Sequence, residues 1–161
     1  MTMKNPVLRQ ELGDFSSVIF LKGIVIGLEE SLGEKNAAIA LIAAGRNQGK
    51  KLAQEVSLID NSTSWSLDEI REKINQVLGK EGSRLFIIDK LENEGEVYKV
   101  YTKETFCSSG EVEGSSRKCT YTLGIIQGFL EAVMAKRLQG KQTGSVLRGH
   151  SHDLLEFSIL S

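Results

Sequence analysis

Hydrophobic spacing divides the chain into three helical stretches, a pair of strand-like runs, another helix and a second pair of strands. The first stretch, 14–32, carries apolar residues over a broad surface, and the second, 34–58, has one apolar stripe. The third begins at Ser66, where Glu69 completes a capping box, and a glycine ends it. These patterns predict three consecutive helices.

The apolar period shortens after residue 83. Runs 84–91 and 96–106 alternate like strands, and the short glycine-containing segment "ENEG" between them predicts a hairpin. The glycine- and serine-rich "CSSGEVEGSSRK" predicts a loop. A helix over 119–138 and strands over 142–148 and 153–160 complete the chain.

This order predicts an α+β fold with one four-stranded antiparallel sheet and helices packed mainly on one face. There is no internal repeat and no linker-like segment. We therefore expect one domain over 1–161, with its core in about 14–160.

Composition narrows the function classes. The chain of 161 residues has 20 basic and 21 acidic residues, so its net charge gives no electrostatic reason to expect nucleic acid as a partner. Phosphate-binding, dinucleotide-binding and nucleophile-elbow motifs are absent from the sequence. The acidic residues are expected to be solvated, among them Glu29, Glu30, Glu92, Glu94 and Glu96. Binding is therefore favoured over catalysis.

The apolar run "VIFLKGIVIGL" is too short for a membrane span and is interrupted by Lys22. A buried helix is the better interpretation. No signal peptide is evident, and two cysteines are too few for a secreted disulfide framework. A cytoplasmic location follows as the default expectation.

Two pairs of glycines have helical spacing. Gly45 and Gly49 share one helix face, and Gly124 and Gly128 share another. Either pair can serve close helix packing or leave room for a hydrophobic ligand. The second interpretation predicts a cavity between these two helices. The candidate ligand-binding residues are Gly45, Gly49, Cys119, Tyr121, Gly124, Gly128 and Phe129.

All cysteines and histidines of the chain lie at loop or loop-edge positions: Cys107, Cys119, His150 and His152. Sulfur and imidazole ligands suit zinc, although the spacing matches no standard motif. Three roles are open for Cys119, which begins a helix: an inert core residue, a reactive thiol at the rim of a pocket, or a ligand in this metal set.

The first predicted helix has an apolar surface, from Phe15 to Leu28, that is wider than a single contact with the core needs. Large exposed apolar patches are uncommon on soluble monomers. This surface predicts a homodimer that forms through the N-terminal helices.

The segments "AAGRNQGKKLAQEV" and "CTYTLGIIQGFLEAVMAKRLQGKQTGSVLRGHSHDLLEFSIL" resemble the 4-vinyl reductase, or hydrocarbon-binding, domain family. The shared features are the Gly-Arg-x-x-Gly helix, the Cys-x-Tyr-Thr-Leu-Gly opening and the G-x-x-x-G-F helix. The resemblance covers roughly residues 15–160.

The resemblance implies a fold similar to vesicle-tethering subunits of the TRAPP type and to sensor domains of aromatic-responsive activators. It implies a hydrophobic ligand between helices and sheet, and dimerisation through the N-terminal helices. Some sensor members hold zinc through a cysteine that matches Cys119 and two later cysteines. Those later positions fall here around Leu147 and Leu155, which cannot bind metal.

Three functions remain open. The first is non-enzymatic binding of a hydrophobic small molecule, for which a tetrapyrrole precursor or another hydrocarbon is plausible. The second is a structural adaptor that binds a partner protein. The third is an accessory subunit of tetrapyrrole 4-vinyl reduction, although the sequence carries no flavin, nicotinamide or iron–sulfur motif.

Overall fold

The computed structural model describes residues 9–14, 17–59 and 65–161. Helix α1 spans Val18–Leu32 and helix α2 spans Glu34–Ile59, with Gly33 between them. Ser17 caps α1, because its side chain accepts a hydrogen bond from the backbone N–H of Ile19. Phe15 and Ser16, which were part of the predicted helix, lie outside the described residues. No helix in the described ranges combines the length and apolarity that crossing a membrane would require.

Helix α3, Leu67–Leu78, begins with the predicted capping box. The backbone N–H of Glu69 donates to Ser66 Oγ at 3.2 Å, and the backbone N–H of Ser66 donates to Glu69 Oε2 at 2.6 Å. The local signal is strong because both partners lie within one turn. Its buried face consists of Ile70, Ile74 and Leu78.

The sheet contains four antiparallel strands in the order β1-β2-β4-β3, so the predicted α+β class is confirmed. The strands are β1 Ile87–Glu94, β2 Val97–Lys103, β3 Leu138–Gly144 and β4 Asp153–Ile159. A two-residue turn at Gly95 joins β1 to β2, and Gly95 has a φ of 65°, which favours glycine.

Helix α4 spans Tyr121–Met134 and ends earlier than predicted. Ala135 adopts the left-handed conformation, and its backbone N–H donates to the carbonyl oxygen of Glu131. Strand β3 therefore begins at Leu138 rather than at residue 142, and 146–148 form a short 3-10 turn instead of strand. The apolar period continued past the true helix end, so the sequence pattern misplaced this boundary.

Large apolar side chains fill the space between α4 and the sheet. Phe129, Ile126 and Leu130 from α4 meet Leu155 and Phe157 from β4 in one cluster, and all are essentially inaccessible to solvent. The pocket expected between helices and sheet is therefore occupied by side chains of the protein.

The glycines bring α2 and α4 into backbone contact. A Cβ at Gly45 would lie 2.9 Å from the backbone nitrogen of Ile125, and one at Gly128 would lie 2.8 Å from the carbonyl carbon of Arg46. Gly49 and Gly124 have equally close backbone neighbours. The cavity predicted between these helices is wrong, because their backbones leave no space between them, and close packing explains both glycine pairs.

Adding a side chain at Gly128 should therefore damage folding itself. We expect Gly128→Leu not to fold. Gly128→Ala should lose about 1–3 kcal/mol of unfolding free energy, which is the usual cost of overpacking. Urea denaturation followed by circular dichroism measures this loss. Ala132→Leu, at an exposed position one turn later on α4, is the matched control and should stay near the wild-type stability. A fully stable Gly128→Leu would contradict the close contact.

Candidate functional site

An apolar groove of about 580 Å³ lies where α1 crosses α2 and the end of α3. Its polar members are Asp14, Ser17, Gln48 and Ser83, and none of the described residues that line it is basic. Its apolar lining comes from Val18, Phe20, Leu21, Ile24, Leu52, Val77 and Leu85. The arrangement suits an uncharged hydrophobic molecule.

A small apolar cluster, separate from the main core, supports α1 beside the groove. Val25 of α1 packs with Ala37 and Leu41 of α2 and with Phe106 from the loop after β2. The backbone N–H of Phe106 also donates to the carbonyl oxygen of Leu85 at 3.0 Å. One loop residue thus contacts α1 and the segment before β1, which are two walls of the groove.

Lys22, the charge that interrupts the apolar run, is buried against the same loop. Its Nζ donates to the carbonyl oxygens of Cys107 and Ser109, both at 2.7 Å, and lies 2.9 Å from Glu111 Oε2. Three oxygen partners offset the cost of removing the ammonium from water. The residue is an anchor for α1.

A second link joins α1 to this loop. Arg117 forms an ion pair with Glu29 of α1, and its Nε lies 2.9 Å from Glu111 Oε1. The hydrogen bond from Lys22, followed by those from Arg117 and Ser115, lowers the pKa of Glu111 to about 2. Glu29, expected to be solvated, is instead part of this network.

Cys107 and Cys119 form a disulfide, with their Cα atoms 5.4 Å apart. Both are buried, and the ligand atoms of these cysteines and of Asp153 all lie within 4.8 Å of one another. A disulfide is a fourth role for Cys119 beyond the three considered from sequence. Spacing alone did not reveal it, because the intervening loop has no regular geometry.

The carboxylate of Asp153 is held by three hydrogen bonds at the start of β4. Oδ2 accepts from Thr105 Oγ1 at 2.6 Å and from Ser108 Oγ at 2.8 Å, and Oδ1 accepts from the backbone N–H of Val146 at 3.0 Å. Asp153 thereby ties the loop after β2 to the short turn before β4.

The structure does not bring the two histidines to the cysteines. His152 Nε2 lies 2.9 Å from Asp89 Oδ2, and its ring meets Tyr101 edge-on. His150 Nδ1 accepts from the backbone N–H of Ser145 at 3.3 Å. In residues 9–14, 17–59 and 65–161, the metal-ligand group found contains Cys107, Cys119 and Asp153 and no histidine.

This group does not fit the zinc site that the family resemblance implies. A structural zinc site needs four donors, and its sulfur donors are thiolates. Here the two sulfurs are bonded to each other, and only one further carboxylate is near. Cys119, the position that the resemblance implies for a zinc ligand, is one half of this disulfide.

The remaining predicted ligand residues separate into two places. Tyr121 is half-buried beside Phe106, with ring centroids 6.2 Å apart, and burial raises the pKa of its hydroxyl. Phe129 and the four glycines lie in the core instead. Only Cys119 and Tyr121 are thus near the loop that supports the groove.

The sequence pattern does not reveal the partly buried ion pair of Arg46 and Glu131. Arg46 Nε and Nη2 donate to the two carboxylate oxygens at 2.5 and 2.8 Å, and Glu131 raises the pKa of Arg46. The backbone N–H of Leu138 donates to the same carboxylate at 3.0 Å. The pair joins α2, α4 and the start of β3, so we assign it a structural role.

No protein-family model matches this sequence, and no curated protein matches it either. Solved structures with a similar fold include the phenol-responsive sensory domain of the transcription activator PoxR with phenol. Its TM-score is 0.66 at 16% identity, and the match covers 89% of this chain and 75% of that chain. The match supports the fold relationship expected from sequence.

A second similar structure is trafficking protein particle complex subunit 3 from Naegleria fowleri, covalently bound to palmitic acid. Its TM-score is 0.52 at 14% identity, with 90% of this chain and 98% of that chain covered. Identities this low establish a shared fold only.

Removing the disulfide should destabilise the protein. We expect Cys107→Ser/Cys119→Ser to lose about 2–4 kcal/mol of unfolding free energy, because the unfolded chain is no longer constrained by a cross-link. Chemical denaturation without reductant measures the difference. Wild-type protein that is denatured in the presence of dithiothreitol should approach the stability of the variant. Equal stability of the oxidised wild type and the variant would refute the cross-link.

Acid should weaken the attachment of α1. Glu111 has a lower pKa folded than its ordinary value of 4.5, so its ion pairs stabilise the fold above about pH 4.5 and are lost as pH falls towards 2. We expect Glu111→Gln to be less stable at neutral pH and to lose less stability on acidification. Denaturation at a series of pH values tests this. Glu113→Gln, at an exposed position in the same loop, is the control and should follow the wild-type profile.

Proposed function

We propose that this protein binds a small hydrophobic molecule without transforming it, in the groove between α1, α2 and α3. The observation that carries the proposal is the apolar lining of this groove of about 580 Å³. Ligand pockets in proteins usually measure about 300–1,000 Å³ and combine apolar walls with a few polar groups. The groove has both properties.

Two similar structures support the ligand class. The sensory domain of PoxR was solved with phenol, and the trafficking subunit carries palmitic acid. An aromatic ring and an aliphatic chain share only their apolar character. We therefore propose that this chain also binds a hydrophobic ligand.

Charge narrows the proposed ligand further. A fatty acid or a tetrapyrrole brings carboxylates, which are stabilised by lysine or arginine. None of the described residues lining the groove is basic, whereas Asp14 is acidic. We therefore favour an uncharged ligand over a tetrapyrrole precursor, and binding of a porphyrin would instead support an accessory role in tetrapyrrole reduction.

Filling the groove should weaken binding while the fold is retained. Gln48 is an exposed lining residue on α2, so Gln48→Trp should insert an indole into the ligand space and weaken binding about tenfold or more, as expected when several methylene-sized contacts are lost. Fluorescence titration with N-phenyl-1-naphthylamine, competed by phenol, palmitate or protoporphyrin, measures this. Gln54→Trp, exposed on the same helix outside the groove, should bind like wild type. Unchanged binding by Gln48→Trp would place the ligand elsewhere.

We also propose a homodimer formed through α1. Ile19, Phe20 and Ile24 are 80%, 73% and 60% exposed. Among the described residues, nothing beyond the helix's own backbone and chain neighbours lies within 4 Å of a Cβ built at Gly23 or Gly27. Glycines four apart beside bulky apolar residues allow a second helix to approach closely. The same surface would accept a partner protein if the chain acts as an adaptor.

A charge on this surface should dissociate the dimer. We expect wild type to sediment as a dimer at micromolar concentration and Phe20→Glu as a monomer, because the carboxylate would be buried at the contact. Ile39→Glu, on an α2 residue of similar exposure at 62%, should remain dimeric. A monomeric wild type would refute the homodimer, and the exposed surface of α1 would then favour an adaptor role.

A further inference from the structure

We infer that the Cys107–Cys119 disulfide is a redox-sensitive lock on the groove. In the oxidised protein it holds the loop that positions α1 and Leu85, and its reduction releases this loop and weakens ligand binding. The inference rests on the proposed function for its effect on the ligand. The effect of the disulfide on the position of α1 does not require a ligand.

One end of the disulfide is fixed to the rigid part of the fold. Cys119 lies two residues before Tyr121, the first residue of α4, and its backbone N–H donates to Gln142 Oε1 of β3 at 2.8 Å. Helix α4 is itself held against α2 by backbone contact. The sulfur of Cys119 is therefore an anchor, and the bond to Cys107 extends that anchor to the loop.

The other end contacts two walls of the groove. The carbonyl oxygen of Cys107 accepts a hydrogen bond from the buried ammonium of Lys22 of α1 at 2.7 Å. Its neighbour Phe106 packs on Val25 of α1, and the backbone N–H of Phe106 donates to the Leu85 carbonyl. A shift of Cys107 would disturb α1 and Leu85 together.

The ion pairs of α1 end on the same closed segment. Residues 107–119 form a ring through the disulfide, and this ring contains Glu111, the partner of Lys22, and Arg117, the partner of Glu29. Opening the ring gives these partners more conformational freedom, so each contact with α1 becomes entropically more costly. The lock therefore acts on the position of α1 through several contacts.

A dithiol reductant completes the chemistry. One reductant sulfur bonds to a protein sulfur and breaks the disulfide, and the other cysteine leaves as a thiolate that takes up a proton. The second reductant sulfur displaces the first cysteine, so the reductant leaves as a cyclic disulfide and its two hydrogens remain on two protein thiols.

Burial links reduction to ligand binding. Cys107 and Cys119 are only 5% and 3% exposed, so the reductant reaches them when the loop opens. A ligand that holds α1 in place would make this opening less frequent. By thermodynamic reciprocity, the factor by which oxidation tightens ligand binding equals the factor by which ligand disfavours reduction.

The test compares air-oxidised protein with protein reduced by dithiothreitol. We expect N-phenyl-1-naphthylamine to bind the oxidised form about tenfold more tightly. Amide hydrogen exchange over 17–32 should be faster in the reduced form. Cys107→Ser/Cys119→Ser should behave as the reduced form with or without dithiothreitol, which separates loss of the disulfide from other effects of the reductant.

Equal exchange over 17–32 in both wild-type forms would overturn the lock, as would two free thiols in the protein purified without reductant. Redox-dependent exchange without any probe binding would support the lock on α1 and refute the proposed groove function. Redox-dependent exchange with equal probe affinity would overturn the link between disulfide and ligand.

Discussion

The backbone contact between α2 and α4 is the constraint on which the rest of the fold depends. At Gly45, Gly49, Gly124 and Gly128 the helices approach so closely that a methyl group would overlap the opposite backbone. With α2 on one side, α4 can bury its other side against the sheet through Phe129 and its neighbours. The space between these elements is thus occupied, and any sizeable ligand must bind outside the helix pair.

Helix α1 forms an additional layer on this rigid pair and covers it incompletely. Its apolar residues meet α2 in a small cluster around Val25, while its attachment to the loop after β2 uses the buried ammonium of Lys22 and the ion pairs of Glu111 and Arg117. Polar contacts of this kind depend on geometry and pH more than apolar packing does. The groove therefore lies beside ionic contacts that depend on pH.

Local signals in the sequence were sufficient where both partners lie within a few residues. The capping box of Ser66 and Glu69 located the start of α3. The period-2 runs predicted the hairpin of β1 and β2, although β1 spans Ile87–Glu94 and thus includes three residues of the predicted turn. The end of α4 was misplaced because apolar residues continue to Leu138, while a left-handed Ala135 and the bond from Leu138 to Glu131 redirect the chain. That bond depends on a buried carboxylate, which no local pattern distinguishes from a solvated one.

The sequence by itself determined the element types, the α+β class and the faces on which the glycines lie, because these follow from short-range periodicity. Only the tertiary structure decided what those faces meet. Gly128 approaches Arg46, which is far away in the chain, and the groove combines Leu21, Leu52 and Val77 from three helices. Such contacts follow from how whole elements pack, and the side-chain pattern of one element does not specify the surface of another.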